Sequence, residues 1–178
     1  MPKLNSITSF QSVTDLLTSM AGIEGIKLVE ICEKKRKSVT DEELAKKLSL
    51  KVTKVRTILN QLHYRGIACY NKSKNSKTGW YSYTWEIKNK RIAEIILERQ
   101  KEEIEKLEKR KVLEENYVLF ACPKKCDDFP FEIAAEYNFR CPECGNNMKS
   151  LDQKRRISDT NKKIKVLQEE IVIMQKIK

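Results

Sequence analysis

The apolar residues in the first part of the chain recur every three or four positions, which is the spacing of amphipathic helices. This pattern predicts four helices, over residues 10–20, 26–37, 40–48 and 51–65. Gly22 and Gly25 separate the first two helices. Thr40, followed by Glu43 three positions later, forms a capping box that begins the third. Gly66 stands just past the fourth helix, where a glycine commonly ends one.

After the fourth helix the period changes from about four to two, which indicates strands. Two strands are predicted, IACY at 67–70 and WYSYTWEI at 80–87, with a polar loop between them. Because side chains alternate along a strand, Tyr83 and Trp85 are expected to point inward together with Ile87. Trp80 has the opposite parity and is expected to be exposed. Helices followed by a hairpin with a basic tip predict a winged helix-turn-helix domain.

The stretch 89–116 contains no glycine or proline and is rich in strong helix formers of alternating charge. It predicts one long helix of about 40 Å, which serves as a stiff spacer or as half of a coiled coil. The stretch 151–178 predicts an amphipathic, coiled-coil-like helix with a seven-residue repeat. The residues of this heptad seam are Ile157, Thr160, Ile164, Leu167, Ile171 and Met174. The seam is free to pack on the spacer, to pair with a second copy of itself or to dock on another subunit.

Four of the six cysteines form two close pairs, CPKKC and CPECG, with fourteen residues between them. Two short turns that each present two sulfurs match a tetrahedral zinc site, so the pattern predicts a zinc ribbon with one structural Zn²⁺. The four predicted ligands are Cys122, Cys126, Cys141 and Cys144. Two disulfides are the alternative, which a cytosolic chain disfavours. Cys32 and Cys69 lie in apolar surroundings and are expected to be core residues.

These elements together predict a mainly α fold with small β-sheets. We expect four parts along the chain: a winged helix domain at 1–88, a helical linker at 89–116, a zinc ribbon at 117–150 and a C-terminal amphipathic helix at 151–178. A length of 178 residues suits one or two domains of moderate size.

The formal net charge of +11 is distributed unevenly along the chain. Residues 1–85 hold 15 basic and 7 acidic residues, a net charge of +8, whereas residues 86–116 are neutral. A polyanion would therefore be attracted to the N-terminal part, chiefly through counterion release. The N-terminus has no apolar signal segment, and no apolar run approaches the ~20 residues that span a bilayer. We therefore expect a cytoplasmic chain, or a nuclear one in a eukaryote, with no membrane partner.

The predicted hairpin tip combines aromatic and basic residues and is the first candidate contact surface. The candidate contact residues are Trp80, Tyr81, Lys72, Lys74, Lys77, Arg65 and Arg56. An exposed tryptophan beside lysines suits stacking on an unpaired base, and it suits a hot spot for a partner protein equally well. Arg56 and Asn60 on the fourth helix suit base reading in a duplex, although charged helix faces are more often simply solvated.

The sequence offers little to an enzyme. His63 is the only histidine, and it has no serine, cysteine or acid at a useful spacing. Neither a phosphate-binding glycine loop nor a pair of catalytic carboxylates is present in the sequence. Four thiolates would leave a zinc ion no open coordination position, which disfavours a metal-dependent nuclease. The sequence therefore favours a protein that acts by binding.

The order of these parts, the stretch KTGWYSYTW and the cysteine pairs CPKKC and CPECG carry a resemblance to a known family. They resemble archaeal transcription factor E, alpha subunit, and the N-terminal half of the alpha subunit of eukaryotic general transcription factor IIE. The resemblance covers most of the chain. The sequence departs from the usual pattern by having three residues inside the first cysteine pair and Asp127 where a knuckle glycine often lies.

This resemblance implies a general initiation factor in the cytoplasm of an archaeal cell. Members join RNA polymerase, the TATA-binding protein and transcription factor B at a promoter. The winged helix would lie on the polymerase clamp near the melted promoter DNA, and the ribbon toward the clamp base and the stalk. Such a factor stimulates promoter opening and stabilises the open complex. The alternative hypothesis is a dimeric, sequence-specific winged-helix regulator that pairs through the C-terminal heptads.

Overall fold

In the computed structural model, which describes residues 6–35, 38–74, 76 and 79–177, the chain divides into two compact units. The first unit comprises the residues up to Leu97 together with those from Met174 onward, and the second comprises 98–173. The described helices are a 3₁₀ turn at Ile7–Ser9, α1 at Gln11–Lys35, α2 at Asp41–Leu48, α3 at Val52–Tyr64, α4 at Asn89–Asn116, α5 at Phe131–Glu136 and α6 at Gln153–Ile177. The described strands are β1 at Val39–Thr40, β2 at Ala68–Lys74, β3 at Tyr81–Ile87, β4 at Leu119–Ala121, β5 at Asp128–Pro130 and β6 at Lys149–Ser150. Helices dominate and the sheets are small, which confirms the predicted fold class.

Helix α1 is interrupted at Gly22, whose φ of 68° and ψ of −172° suit glycine and almost no other residue. The two predicted N-terminal helices are therefore present, with Gly22 as the break between them. Gly25, which the sequence pattern also marks as a break, lies inside the second half of α1 and is buried. A Cβ atom at Gly25 would lie 2.5 Å from the Ala21 Cβ, so close packing explains this glycine better than a break does.

Helices α2 and α3 form the helix-turn-helix, and their ends are capped as the sequence predicts. At the start of α2, the Glu43 backbone N–H donates a hydrogen bond of 3.2 Å to Thr40 Oγ1, as predicted. The Glu43 carboxylate pairs with Lys35 instead of completing the capping box. At the end of α3, Gly66 has a φ of 72°, and the Ile67 N–H donates to the Leu62 carbonyl at 3.0 Å. These interactions are local in the chain, which is why the sequence alone locates them.

The apolar faces of α1, α2 and α3 form the core of the first unit. Residues with no exposed surface include Val13, Leu17, Leu28, Val29, Leu44, Val55, Leu59 and Leu62. Burying one such side chain contributes about 1.5–3 kcal/mol relative to leaving it exposed. Cys32 is buried among them, and burial raises the pKa of its thiol to about 11, as expected of an inert core cysteine.

The sheet of the first unit has the strand order β1–β3–β2, with antiparallel neighbours. Strand β3 lies where the alternating pattern predicts a strand. Strand β2 continues to Lys74, so the residues 71–74, which the sequence assigns to the loop, pair with β3 instead. Their polar side chains give no strand signal, and the pairing with β3 holds them in the sheet. Strand β1, which pairs Val39 with Trp85, is too short for the sequence pattern to indicate.

The second unit contains a sheet of order β5–β4–β6 beside the short helix α5. Its core consists of Cys122, Ala134, Cys141 and Met148, against which aromatic and cysteine side chains pack. From its sequence, the stretch FPFEIAAEYNFR between the cysteine pairs is expected to form short strands, and this is correct only for β5. The following residues FEIAAE form α5, because alanine and glutamate favour a helix and Ala134 fits fully buried against the core.

Side-chain contacts join α6 to α4 within the second unit. Arg156 Nη2 lies 2.9 Å from Glu114 Oε1, and the Gln153 side chain donates a hydrogen bond of 2.9 Å to the Glu114 carbonyl. These contacts join the start of α6 to the end of α4 through Gln153 and Arg156, which lie outside the heptad seam. Every residue of the heptad seam is buried or half-buried. Among the helices that the structure describes, none is both long and apolar enough to cross a membrane.

Candidate metal centre and wing surface

The two cysteine pairs come together in the second unit as one cluster. The four Sγ atoms of Cys122, Cys126, Cys141 and Cys144 all lie within 4.8 Å of one another. A tetrahedral zinc ion with bonds of about 2.3 Å would hold its sulfur ligands about 3.8 Å apart. Four sulfurs from two short turns therefore fit one zinc-type metal ion, with no coordination position left for water.

Both knuckles close by a backbone hydrogen bond onto the first cysteine of the pair. The Lys125 N–H donates to the Cys122 carbonyl at 2.9 Å, and the Gly145 N–H donates to the Cys141 carbonyl at 2.8 Å. Gly145 has a φ of 71°, as its place after the second pair predicts, whereas Lys125 has a φ of 58° in the first knuckle. The extra residue of the first pair thus moves the left-handed position to Lys125, and no glycine is needed at Asp127.

Burial and hydrogen bonds shift the pKa of Cys126, Cys141 and Cys144 in different directions. The Asn146 side-chain N–H lies 3.2 Å from Cys144 Sγ, and this hydrogen bond to the thiolate lowers the pKa of Cys144 to about 6. Burial raises the pKa of Cys141. Hydrogen bonding with Cys144, where the neutral thiol donates, raises the pKa of Cys126. A bound metal would favour the thiolate form of all four, because metal binding requires deprotonated sulfur.

The aromatic residues at and beside β3 differ in burial: Trp85 and Trp80 are as the sequence predicts, whereas Tyr81 shares the parity of Trp85 and is exposed because it lies toward the hairpin tip. Trp85 is buried, and its ring lies 5.3 Å from that of Tyr70 and 6.2 Å from that of His63. Tyr83, expected inside, is half-buried. Trp80 is 78% exposed and Tyr81 is 53% exposed. The tip of the hairpin therefore presents large aromatic surface to solvent.

One face of the hairpin alternates tyrosine and lysine across its two strands. We call it the tyrosine–lysine strip, and it consists of Tyr70, Lys72, Lys74, Tyr81 and Tyr83. Lys72 Nζ lies 3.9 Å from the centroid of the Tyr81 ring, and Lys74 Nζ lies 5.8 Å from the same centroid. The rings of Tyr70 and Tyr83 are 5.7 Å apart. Ammonium groups held over aromatic faces form cation–π contacts, so the strip is a connected surface in which charge and aromatic area are combined.

Sequence reasoning missed this connection, because it ended the first strand at Tyr70. If the alternation continues through Lys72 and Lys74, both lysines lie on the face of Tyr81 and Tyr83. In the structure, Lys72 pairs with Tyr83 and Lys74 with Tyr81 across the two strands. Lys77, another candidate contact residue, lies outside the described residues. The structure therefore gives four of the candidate wing residues a common location, namely Trp80, Tyr81, Lys72 and Lys74.

The two candidate arginines lie apart, Arg56 within the first half of α3 and Arg65 just past its end. Arg65 is exposed just past the end of the helix. Arg56 donates a hydrogen bond to the buried carboxylate of Asp41 and lies 3.7 Å from a carboxylate oxygen of Glu42. Although burial alone raises the pKa of Asp41, the hydrogen bond from Arg56 holds it below its usual value. Arg56 therefore has a structural partner in the start of α2.

His63 has a structural environment as well. Its Nδ1 lies 2.8 Å from the Ala68 carbonyl, and its ring lies 5.2 Å from that of Tyr70. These contacts connect α3 to the start of β2, as expected of a structural histidine.

Comparison with known proteins gives the same picture for most of the chain. The profile of the family described as TFIIE alpha subunit matches residues 11–116. Transcription factor E of Metallosphaera sedula is 32% identical over 167 residues, which cover 94% of this chain and 95% of that protein. Transcription factor E of Saccharolobus islandicus is 34% identical, with 88% of this chain and 90% of that protein covered. The same factor of Methanocaldococcus jannaschii is 34% identical, with 83% and 85% covered.

A solved structure from Methanosarcina mazei, described as a possible transcriptional regulator, was also found. It aligns with a TM-score of 0.45 and 19% identity, covering 56% of this chain and 86% of that one. A likeness at this level carries no argument about fold or function.

Proposed function

This chain belongs to the TFIIE alpha subunit family of transcription factors, and from that premise we propose that it binds RNA polymerase at a promoter and favours the opening of the DNA. Its expected partners are the polymerase clamp and stalk, the promoter DNA near the melted region, and the complex of the TATA-binding protein with transcription factor B. The expected contact surfaces are the hairpin tip of the first unit and the ribbon of the second.

The tyrosine–lysine strip, with Trp80 beside it, is the observation that carries this proposal. Melted DNA offers unpaired bases with exposed π-faces and a phosphate backbone with high negative charge. Aromatic side chains stack on any base, and lysines attract the phosphates without reading sequence. A surface with both features therefore suits a single strand of undefined sequence better than it suits a defined duplex site.

The mechanism is a shift between two states of the promoter. A factor that binds the open state better than the closed state raises the open population by the ratio of its two affinities. Stacking of one base contributes about 1–3 kcal/mol, and about 1.4 kcal/mol already changes an equilibrium tenfold. One or two stacked bases are therefore enough for a factor that performs no bond chemistry.

A zinc ion held by Cys122, Cys126, Cys141 and Cys144 would serve this role by holding the ribbon in shape. With all four coordination positions taken by sulfur, the metal would cross-link the two cysteine pairs and take no part in bond chemistry. The residues of this chain contribute the thiolates, and Asn146 orients Cys144 through its hydrogen bond.

The test compares bubble DNA with fully paired DNA of the same sequence, with and without RNA polymerase. We expect weak, sequence-tolerant binding by the chain alone and a tight complex when polymerase and a bubble are both present. The double variant Lys72→Ala with Tyr81→Ala should lower open-complex formation by about fivefold to tenfold. Trp80→Ala is expected to act in the same direction.

The matched control is the double variant Lys54→Ala with Tyr64→Ala, which also removes one exposed lysine and one exposed tyrosine of the first unit. These residues lie on α3, so the proposal predicts near-normal open-complex formation. The dimeric regulator predicts the reverse: tight binding of a palindromic duplex by the chain alone, lost in the α3 variant. Normal promoter opening by the Lys72/Tyr81 variant would refute the proposed role of the strip.

A further inference from the structure

The second unit contains three phenylalanine rings that contact one another, two of which are exposed. The ring centroids of Phe120 and Phe139 are 5.0 Å apart, and Phe131 lies 5.9 Å from Phe139 and 6.2 Å from Phe120. We call these three residues the phenylalanine patch. Phe131 is 49% exposed and Phe139 is 37% exposed, although an aromatic cluster is normally buried. An exposed apolar surface of this kind marks an interaction site more often than chance.

The backbone presents one of these rings in an unusual way. Phe139 has a φ of 57°, in the left-handed region that bulky side chains rarely adopt. Hydrogen bonds hold it there: its N–H donates to the Ala134 carbonyl at 2.7 Å, and the Met148 N–H donates to its carbonyl at 2.8 Å. The fold therefore holds Phe139 in a backbone conformation that is unfavourable for a bulky residue. Residues held in strained backbone conformations cluster at binding sites.

The patch is attached to the metal centre. Phe120 packs against the core formed by Cys122, Ala134, Cys141 and Met148, and it also contacts the two exposed rings. A partner that covers Phe131 and Phe139 would therefore bind a surface that the cysteine cluster holds in place. Pre-organised aromatic surfaces lose little entropy on binding, which is typical of hot spots.

The charges beside the patch indicate what kind of molecule fits. Helix α5 carries two exposed acids, Glu132 and Glu136, next to Phe131, and the exposed Arg140 follows Phe139. Two carboxylates repel a nucleic-acid backbone and attract basic side chains.

We propose that the phenylalanine patch docks a protein segment that presents an apolar side chain next to a lysine or arginine. The apolar side chain would contact Phe131 and Phe139, and the basic side chain would pair with Glu132 or Glu136. This inference rests on the proposed function, because it assigns the segment to RNA polymerase.

The test measures the affinity of purified RNA polymerase for the full chain and its variants. Phe139→Gly removes one ring while giving the left-handed position the residue that suits it best, so we expect zinc to be retained and affinity to fall about tenfold or more. Glu132→Lys with Glu136→Lys reverses the local charge outside the core and should also lower affinity about tenfold. The matched control, Glu102→Lys with Glu103→Lys, makes the same charge change at exposed positions of α4 and should leave affinity within about twofold.

The outcomes separate this inference from the proposed function. Unchanged affinity in the charge-reversal and Phe139 variants, with normal binding by the unmodified chain, would overturn the inference alone. If the variants instead lose binding of bubble DNA, or abolish self-association in sedimentation, the occupant is nucleic acid or a second copy and the inference is wrong. Failure of the unmodified chain to bind polymerase would overturn the proposed function, and this inference with it. If Phe139→Gly loses zinc, the charge-reversal pair decides.

Discussion

The first unit packs leucine, isoleucine and valine side chains of three helices against a sheet, whereas the second surrounds four cysteines with very few apolar side chains. Among the described residues 98–173, the buried apolar side chains are Cys122, Ala134, Cys141, Met148 and Ile164. Small units with so little apolar core usually need a disulfide or a metal to fold. We therefore expect most of the stability of the second unit to come from a metal held by the four cysteines, and that of the first from hydrophobic burial.

The second unit also relies on charge where the first relies on packing. Glu114 is only 2% exposed, and its Oε1 lies 3.0 Å from Arg110 and 2.9 Å from Arg156. Asp128 of β5 contacts the same two arginines, at 3.3 Å and 2.9 Å. The four residues form a closed network that joins the ribbon to α4 and α6. A buried carboxylate is tolerable only when it is paired in this way.

Removal of the metal should produce the largest difference in stability between the two units. Structural zinc sites contribute apparent binding free energies of about 10–16 kcal/mol, which exceeds what this small core supplies. We expect a chelator, or Cys141→Ser, to abolish amide protection in residues 117–150 while the first unit keeps its protection. Hydrogen exchange with mass spectrometry measures both. Cys69→Ser changes a thiol outside the cluster and is the control; a ribbon that stays protected without metal would contradict the comparison.

Truncation of a core side chain in the first unit should destabilise that unit and leave the second unit unaffected. Leu59→Ala deletes a fully buried side chain of α3 and should cost about 2–5 kcal/mol. We expect a lower melting temperature and faster exchange in α1–α3, with bound zinc unchanged. Val166→Ala, at an exposed site on α6, is the control and should change stability by less than about 0.5 kcal/mol. Loss of zinc in the Leu59 variant would show that the two units are not independent.

The same contrast explains what could be predicted from the sequence. The break at Gly22, the cap at Thr40 and the ends of α2 and α3 depend on neighbours in the chain, and the pattern located them. The four-cysteine cluster was predictable because the spacing of the ligands is itself the signal. The burial of Trp85 and the exposure of Trp80 were predicted correctly, because strand parity is a local property.

What escaped prediction depends on partners that are distant in sequence. Strand β1 exists because Val39 pairs with Trp85, and residues 71–74 are a strand because β3 lies beside them. The tyrosine–lysine strip follows from that register, so it was missed with it. In the sequence Arg56 suits base reading, but in the fold it forms an ion pair with the buried Asp41, which the sequence pattern does not indicate. The prediction of a strand where α5 lies was wrong for a local reason. A helix of six residues has too few turns to show a helical period in the sequence.

A variant in the network of Arg110, Glu114, Asp128 and Arg156 tests, with a smaller expected effect, how far the second unit depends on charge. Arg156→Ala leaves the buried carboxylate of Glu114 with one arginine fewer, and it removes a partner of Asp128. Hydrogen bonds to charged groups contribute about 1.5–3 kcal/mol, so we expect the zinc-loaded second unit to lose about that much stability. Urea unfolding followed by exchange in residues 98–173 measures it. Arg155→Ala, next to it, is the control. Equal effects of the two variants would mean that the network contributes nothing specific.

The smallest effect we predict concerns pH and the first unit. Because Arg56 holds the pKa of Asp41 below its value in the unfolded chain, ionised Asp41 stabilises the folded state. This stabilisation is fully present above the unfolded pKa of about 4 and is lost as pH falls through the lower, folded value. Asp41→Asn should therefore cost about 1 kcal/mol at pH 7, and the difference from the unmodified chain should vanish in acid. Thermal unfolding of the first unit between pH 7 and pH 2.5 measures this. A difference that stays constant over the whole range would mean that the Asp41 side chain acts by packing rather than by charge, and that the ion pair with Arg56 adds no stability.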